Sequence, residues 1–224
     1  TSLKIEYIYN SGFHIETDNH QFLIDYYRGK FKLNPDKPCT FIVTHAHADH
    51  FDPLIFNLER EGDQYILSSD TAVPAADHIR IVEPGRAYRF GDIKLQTCGS
   101  TDAGLSVRVE VDDLSFIHGG DLNLWVWPED TPAERNQMEQ DFKREVACLK
   151  SHGPIDLLFA VVDGRLKDTY LPGPSYFITS LKPKHFIPMH FRDDRSVLTD
   201  FSQQSFPGTK LHIPATENDI IVID

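Results

Sequence analysis

Three histidines and an aspartate lie within six residues directly after a short apolar run, and this segment constrains the chain more than any other. The run, residues 39–44, is rich in β-branched and apolar side chains, which is typical of a buried strand. The segment that follows reads His45-Ala46-His47-Ala48-Asp49-His50. On an extended backbone His45 and His47 point to the same side, where two neutral imidazoles can share a metal ion. Asp49 and His50 follow where the chain bends and can face a second ion, so the segment predicts a metal centre at a strand end.

Two later segments can supply further ligands to such a centre. Asp121 follows two glycines at the end of a predicted strand, residues 114–118, and His190 follows another, residues 185–189. Taken alone, the first pattern is equally typical of an ordinary Gly-Asp turn, and the second favours a core or surface histidine. Together with residues 45–50, both patterns shift toward metal ligation.

The rest of the chain alternates between strands and helices. The predicted strands are residues 3–9, 13–17, 21–26, 39–44, 65–69, 80–96 with turns, 105–111, 114–118, 155–162, 185–189 and 220–223. The predicted helices are residues 53–60, 72–77, 176–181, 197–204 and one that begins at the capping box Thr131–Glu134 and reaches Leu149. Two sheets flanked by helices would bury these elements in one domain, residues 1–224.

Charge and cysteine content limit the partners and the compartment. With 22 basic and 34 acidic residues the formal net charge is −12, which argues against nucleic acid and anionic lipid as partners. No apolar run approaches the about 20 residues that a membrane helix needs. Cys39, Cys98 and Cys148 are widely spaced, which predicts a reducing compartment, the cytoplasm, with neither a disulfide framework nor a thiolate zinc site. The oligomeric state is left open.

In the order and spacing of these segments the chain resembles the metallo-β-lactamase superfamily, in particular its small single-domain intracellular hydrolases of the lactonase- and phosphodiesterase-like branch. The resemblance implies an α/β fold, a four-layer αββα sandwich of two mixed sheets flanked by helices, with the metal centre at one sheet edge. It implies that His45 and His47 hold one ion and that Asp49, His50 and His190 hold the other. Asp121 would bridge the two ions.

One position departs from the family pattern. The superfamily usually places a third histidine for the first ion in a Gly-His-Thr turn, and this chain has Ser100 there. Serine is a poor zinc ligand compared with imidazole. Ser100, Asp102 or water would have to complete the first site, and its occupancy is an open question.

The resemblance implies a metal-dependent hydrolase that uses a metal-bound hydroxide on an ester, lactone or phosphodiester bond of a small substrate. The cofactor would be one or two divalent ions, zinc first, with manganese, iron or nickel as alternatives, because histidine and aspartate suit all of them. Two other functions stay open: a non-catalytic metal- or ligand-binding protein that keeps the fold, and an iron-dependent redox enzyme. The redox alternative is disfavoured by His47 and by the missing flavin domain.

Several residues are candidates for catalysis or substrate contact. Asp49 would orient the nucleophile. His118 is either a general acid or a residue that supports Asp121, and the second role is favoured. Trp125 and Trp127 either wall a substrate pocket or pack a loop, and Arg165 either binds an anionic group or belongs to an exposed turn. The candidates for substrate contact are therefore Ser100, Asp102, Trp125, Trp127 and Arg165.

Overall fold

Two seven-stranded sheets form the body of the protein, and the computed structural model describes residues 2–224. The strands are β1 (Leu3–Tyr9), β2 (Gly12–Glu16), β3 (Gln21–Ile24), β4 (Cys39–Val43), β5 (Gln64–Ser68), β6 (Ile79–Val82), β7 (Ala87–Phe90), β8 (Ile93–Cys98), β9 (Ser106–Val111), β10 (Leu114–His118), β11 (Leu157–Val161), β12 (His185–Met189), β13 (Lys210–Leu211) and β14 (Ile220–Ile223). The first sheet has the order β14-β1-β2-β3-β4-β5-β6, and the second has the order β13-β12-β11-β10-β9-β8-β7.

Both sheets are mixed, as predicted. In the first sheet β14, β1, β2 and β3 pair antiparallel and β3 to β6 pair parallel. In the second sheet β7 to β10 pair antiparallel and β10 to β13 pair parallel. Parallel strands bring their carboxyl ends to the same edge of a sheet. The loops after β4, β10 and β12 therefore meet at one edge of the sandwich.

The two sheets face each other across an aromatic core. The rings of Phe13 on β2 and Phe159 on β11 lie 4.5 Å apart, and those of Phe22 on β3 and Phe116 on β10 lie 5.5 Å apart. Every residue of β4 and β11 is buried. This explains why both strands read as continuous apolar runs in the sequence.

The α-helices pack on the second sheet. They are α1 (Pro132–Lys150), α2 (Pro172–Leu181) and α3 (Arg195–Ser202). Phe142 of α1 contacts Phe177 of α2, and Phe201 of α3 contacts Phe186 of β12. The predicted capping box starts α1, since the Thr131 and Glu134 side chains each accept a hydrogen bond from the other's backbone N–H. No helix in residues 2–224 is long and apolar enough to cross a bilayer.

The outer face of the first sheet is covered by irregular chain instead of the two predicted helices. Residues 53–60 were predicted to form a helix, but only a 3₁₀ turn forms there, Pro53–Asn57. The Arg60 backbone N–H donates to the Asp63 carboxylate and is therefore not available for a helical hydrogen bond. The prediction for residues 72–77 is wrong. Ala72 has a left-handed backbone with φ of 57°, and Pro74 follows two residues later, so no helix can continue there.

A disulfide joins Cys98 and Cys148, which corrects the prediction that the cysteines stay unpaired. Cys98 ends β8 and Cys148 lies in α1, 50 residues further along the chain. The two elements become neighbours only when α1 packs on the second sheet, so spacing in the sequence does not reveal the pair. Cys39 is free and buried in β4.

Candidate metal centre

Six predicted ligands converge where β4, β10 and β12 end. The ligand atoms of His45, His47 and Asp121 lie within 4.8 Å of one another, and so do those of Asp49, His50 and His190. The His50 and His190 rings are 5.5 Å apart although 140 residues separate them. The two groups correspond to the two ion sites that the sequence predicts.

Asp121 connects the two groups. Its Oδ2 lies 3.1 Å from His45 Nε2, and its Oδ1 lies 2.9 Å from His50 Nε2 and 3.2 Å from His190 Nε2. Burial alone would raise the pKa of the Asp121 carboxyl, but the three imidazoles outweigh burial and hold this pKa far below its usual range. Asp121 is therefore a carboxylate at neutral pH, which is the form that binds metal ions.

Buried carboxylates bind the Nδ1 atoms of His50 and His190, on the side of each ring that faces away from the centre. His50 Nδ1 lies 2.7 Å from Asp25 Oδ2, and His190 Nδ1 lies 2.9 Å from Asp163 Oδ2. A carboxylate can only accept, so each Nδ1 carries the hydrogen and each Nε2 keeps a lone pair for the centre.

His45 is oriented in the same way through a hydroxyl group. The Thr44 hydroxyl donates its hydrogen to Asp25 Oδ2 at 2.6 Å, and His45 Nδ1 lies 3.1 Å from the same Thr44 oxygen. Because that oxygen has already given away its hydrogen, it accepts from His45 Nδ1–H. Asp25, which is fully buried, thereby orients His50 directly and His45 through Thr44.

Asp25 and Asp163 were not predicted from the sequence as parts of the centre. Each follows a buried strand, β3 or β11, at the edge where the predicted ligands lie. That position is the signal that could have identified them, since carboxylates at strand ends on one edge come close together.

The donor set fits a divalent cation. His45 Nε2, His50 Nε2 and Asp121 Oδ1 are fully buried and make no hydrogen bond within residues 2–224. Buried polar atoms without partners are costly. Imidazole nitrogen and carboxylate oxygen are also the ligands that zinc and related ions prefer. A bound cation would satisfy all three atoms together.

Asp49 and His47 border the more open side of the centre. Asp49 Oδ2 lies 3.4 Å from His50 Nε2 and 3.6 Å from His190 Nε2, and it accepts a hydrogen bond from Asn10 Nδ2 at 3.2 Å. Burial raises the pKa of Asp49, but His50 and His190 outweigh it and bring this pKa to about 2. His47 is exposed, with its ring 4.8 Å from that of His45.

His118 is fully buried behind the centre. Its Nε2 donates to the Ser11 carbonyl at 2.9 Å, and its Nδ1 accepts from the Gly120 backbone N–H at 3.1 Å. Both nitrogens are thus occupied by backbone groups, and burial lowers the pKa of the ring. Of the two predicted roles, this placement favours the second, which is support of the Gly120–Asp121 turn.

A cavity of about 360 Å³ opens beside His190. Its lining consists of Thr101, Asp102, Trp125, Trp127, Met138, Arg165 and His190. Four of the five predicted substrate residues are among them, whereas Thr101 and Met138 were not predicted to line a site.

Ser100 is the fifth predicted substrate residue and does not line the cavity. Its hydroxyl oxygen accepts from the Asp102 backbone N–H at 3.2 Å and so shapes the loop that carries Asp102.

Comparison with known proteins agrees with this geometry. A family model described as a β-lactamase superfamily domain matches residues 4–190. A UPF0173 metal-dependent hydrolase from Pyrococcus furiosus is 23% identical over an alignment of 210 residues, and the match covers 84% of this chain and 84% of that protein.

Two solved structures share the fold. Igni18, a metallo hydrolase from Ignicoccus hospitalis, has a TM-score of 0.67 at 16% identity, with 100% of this chain and 99% of the other covered. The metallo-β-lactamase fold protein YhfI from Bacillus subtilis has a TM-score of 0.65 at 12% identity and 99% coverage of both chains. Because the matched family model spans most of the chain and the two-sheet fold agrees with it, this protein belongs to the metallo-β-lactamase superfamily.

Proposed function

We propose that this metal-dependent hydrolase cleaves an ester, lactone or phosphodiester bond of a small substrate. The observation that carries the proposal is the Asp121 carboxylate, which lies within 3.2 Å of an Nε2 atom from each of three histidines. The name of the Pyrococcus furiosus relative supports the reaction class.

The two ligand groups suit one or two divalent ions. His45, His47 and Asp121 would hold the first ion, and Asp49, His50 and His190 would hold the second, with Asp121 shared. Zinc is the first candidate, and manganese, iron and nickel accept the same ligands. Bound there, such an ion lowers the pKa of water and stabilises negative charge on the substrate.

The protein's own groups supply orientation and proton transfer. Asp49 is ionised at neutral pH and lies beside both His50 and His190, so it can orient a water molecule and accept its proton. The Asn10 amide fixes the Asp49 carboxylate from the other side. Asp25 and Asp163 keep His50 and His190 in the orientation that leaves Nε2 free.

The cavity beside His190 is the proposed substrate site. Trp125 and Trp127 offer apolar area to the body of the substrate. Asp163 accepts hydrogen bonds from Arg165 Nε and Nη2, and the Arg165 side chain is still 49% exposed, so its remaining N–H groups can bind an anionic group. Asp102 lines the same cavity, where it either contacts the substrate or completes the first ion site. The Ser100 hydroxyl oxygen accepts a hydrogen bond from the Asp102 backbone N–H.

A hydrolysis panel tests this proposal. Protein freed of metal by a chelator is given lactones and phosphodiesters with and without Zn²⁺ or Mn²⁺, and turnover is expected only with metal. Asp121→Asn should lower turnover by more than the about 10–100-fold that is typical when a partner of a metal ligand is lost. Asp112→Asn, in the turn between β9 and β10 at the other end of the second sheet, is the matched control and should keep full turnover.

A second candidate function follows from Ser100. A chain that lacks the usual histidine of the first site is also suited to bind a metal or ligand without catalysis. Tight metal binding with no turnover on any substrate of the panel would favour that function and reject hydrolysis.

We retain the cytoplasm as the proposed location and a small molecule as the proposed partner. The cavity size supports the small-molecule substrate. The proposed location rests on the resemblance to intracellular hydrolases of the superfamily alone, because the Cys98–Cys148 disulfide removes the cysteine argument for a reducing compartment.

A further inference from the structure

We propose that Trp125 is a positioning residue that fixes Asp121 and His190 relative to each other, and this inference rests on the proposed metal-dependent function. Asp121 and His190 lie in different loops, which follow β10 and β12. The indole of Trp125 contacts both of them.

The first contact holds the backbone of Asp121. Trp125 Nε1–H donates to the Asp121 carbonyl oxygen at 2.8 Å. The indole thus closes a five-residue loop and fixes the turn from which the Asp121 carboxylate reaches the three imidazoles. On the other side of that turn, the Gly120 N–H is held by His118.

The second contact supports the ring of His190. The Trp125 and His190 rings lie 5.7 Å apart, with their planes at 67°, so they meet edge to face. His190 Nδ1 is held by Asp163, but one hydrogen bond still allows the imidazole to rotate about it. The indole limits that rotation and keeps Nε2 directed toward Asp121 Oδ1, 3.2 Å away.

Trp127 occupies a different place in the same cavity. Its ring stacks parallel to that of Trp125, with centroids 6.0 Å apart and planes 10° apart. Trp125 is only 7% exposed, whereas Trp127 is half-buried and its indole N–H has no partner within the described chain, residues 2–224. Trp127 is therefore a matched control, because it shares the chemistry and the cavity without contacting Asp121.

The test compares the affinity of zinc and cobalt for two variants. Trp125→Phe keeps an aromatic ring but loses the N–H donor, and we expect a loss of about 10–100-fold in metal affinity, the range seen when a partner of a metal ligand is removed. Trp127→Phe should stay within about twofold of the unchanged protein. Competition with a chromophoric chelator measures both, and the visible spectrum of the cobalt-loaded protein should shift only for Trp125→Phe.

A third variant separates positioning from general destabilisation. Thr209→Val removes a hydrogen bond to the Pro183 carbonyl near the start of β12, the strand whose other end carries His190. It should lower the melting temperature without changing metal affinity. Unchanged affinity and spectrum in Trp125→Phe, or equal losses in all three variants, would overturn the inference while leaving the hydrolase proposal intact. No metal binding by the unchanged protein would overturn both.

Discussion

His190→Ala is expected to remove most of the second ion and nearly all hydrolytic activity. His190 is the predicted ligand of that ion that directly follows β12, and its Nε2 lies 3.2 Å from Asp121 Oδ1 and 3.6 Å from Asp49 Oδ2. Its removal also leaves the Asp163 carboxylate buried without its imidazole partner. We expect turnover to fall by more than the about 100-fold upper end seen for partners of metal ligands. Metal content by mass spectrometry and steady-state kinetics measure the two effects.

His185→Ala is the matched control for that variant. His185 begins β12, at the opposite end of the strand from His190, and its Nδ1 lies 2.9 Å from His212 Nε2, away from the centre. This variant should keep its metal and its turnover. Equal loss of metal in both variants would mean that β12 had been disturbed as a whole and that His190 is not a ligand.

Gly104→Ala is expected to be among the most damaging single changes in the chain. Gly104 has φ of +77°, and a Cβ atom there would overlap the Thr44 carbonyl oxygen and the His45 Cβ atom. The next residue, Leu105, donates its backbone N–H to that same Thr44 carbonyl at 3.0 Å. The loop before β9 thus lies directly on the backbone that carries the first metal ligand, so the added methyl group must displace His45.

Gly85→Ala separates this clash from the cost of the backbone conformation. Gly85 has φ of +76°, and a Cβ atom there would have nothing within 4 Å. Its substitution should cost about 1–2 kcal/mol of unfolding free energy for the left-handed conformation alone. Gly104→Ala should cost about 1–3 kcal/mol more through overpacking and should lose metal at the first site. Similar denaturation midpoints and metal contents for the two variants would show that the Gly104 contact is unimportant.

The sequence was most informative where the chemistry is local. Residues 45–50 are contiguous and follow a buried strand, so both the strand and the cluster of candidate metal ligands at its end could be predicted. The α1 capping box is equally local and is confirmed. Asp121 and His190 were weaker predictions, because each is a single residue that gains meaning only when a distant strand brings it to the same edge.

Features that depend on contacts between distant segments were missed. Asp25 and Asp163 support His50 and His190 through single hydrogen bonds to residues about 25 positions away. Only their position after the buried strands β3 and β11 could have indicated this role, and it gains meaning once the strand order is known. The Cys98–Cys148 disulfide depends on the packing of α1 against the second sheet. The two short predicted helices failed for local reasons instead. The Asp63 carboxylate, three residues further on, accepts the Arg60 backbone N–H, and Pro74 lies inside the second predicted helix.

Anomalous diffraction at the zinc edge, from crystals of zinc-loaded protein, tests the central claim most directly. We expect a strong peak bonded to His50, His190 and Asp49, with Asp121 as a further ligand, at metal–nitrogen distances of about 2.0–2.1 Å. A second peak beside His45, His47 and Asp121 should be weaker, because Ser100 stands where the family usually has a third imidazole. Two peaks of equal strength would contradict the expected weakness of the first site. A map without any peak at these residues would contradict the metal centre itself.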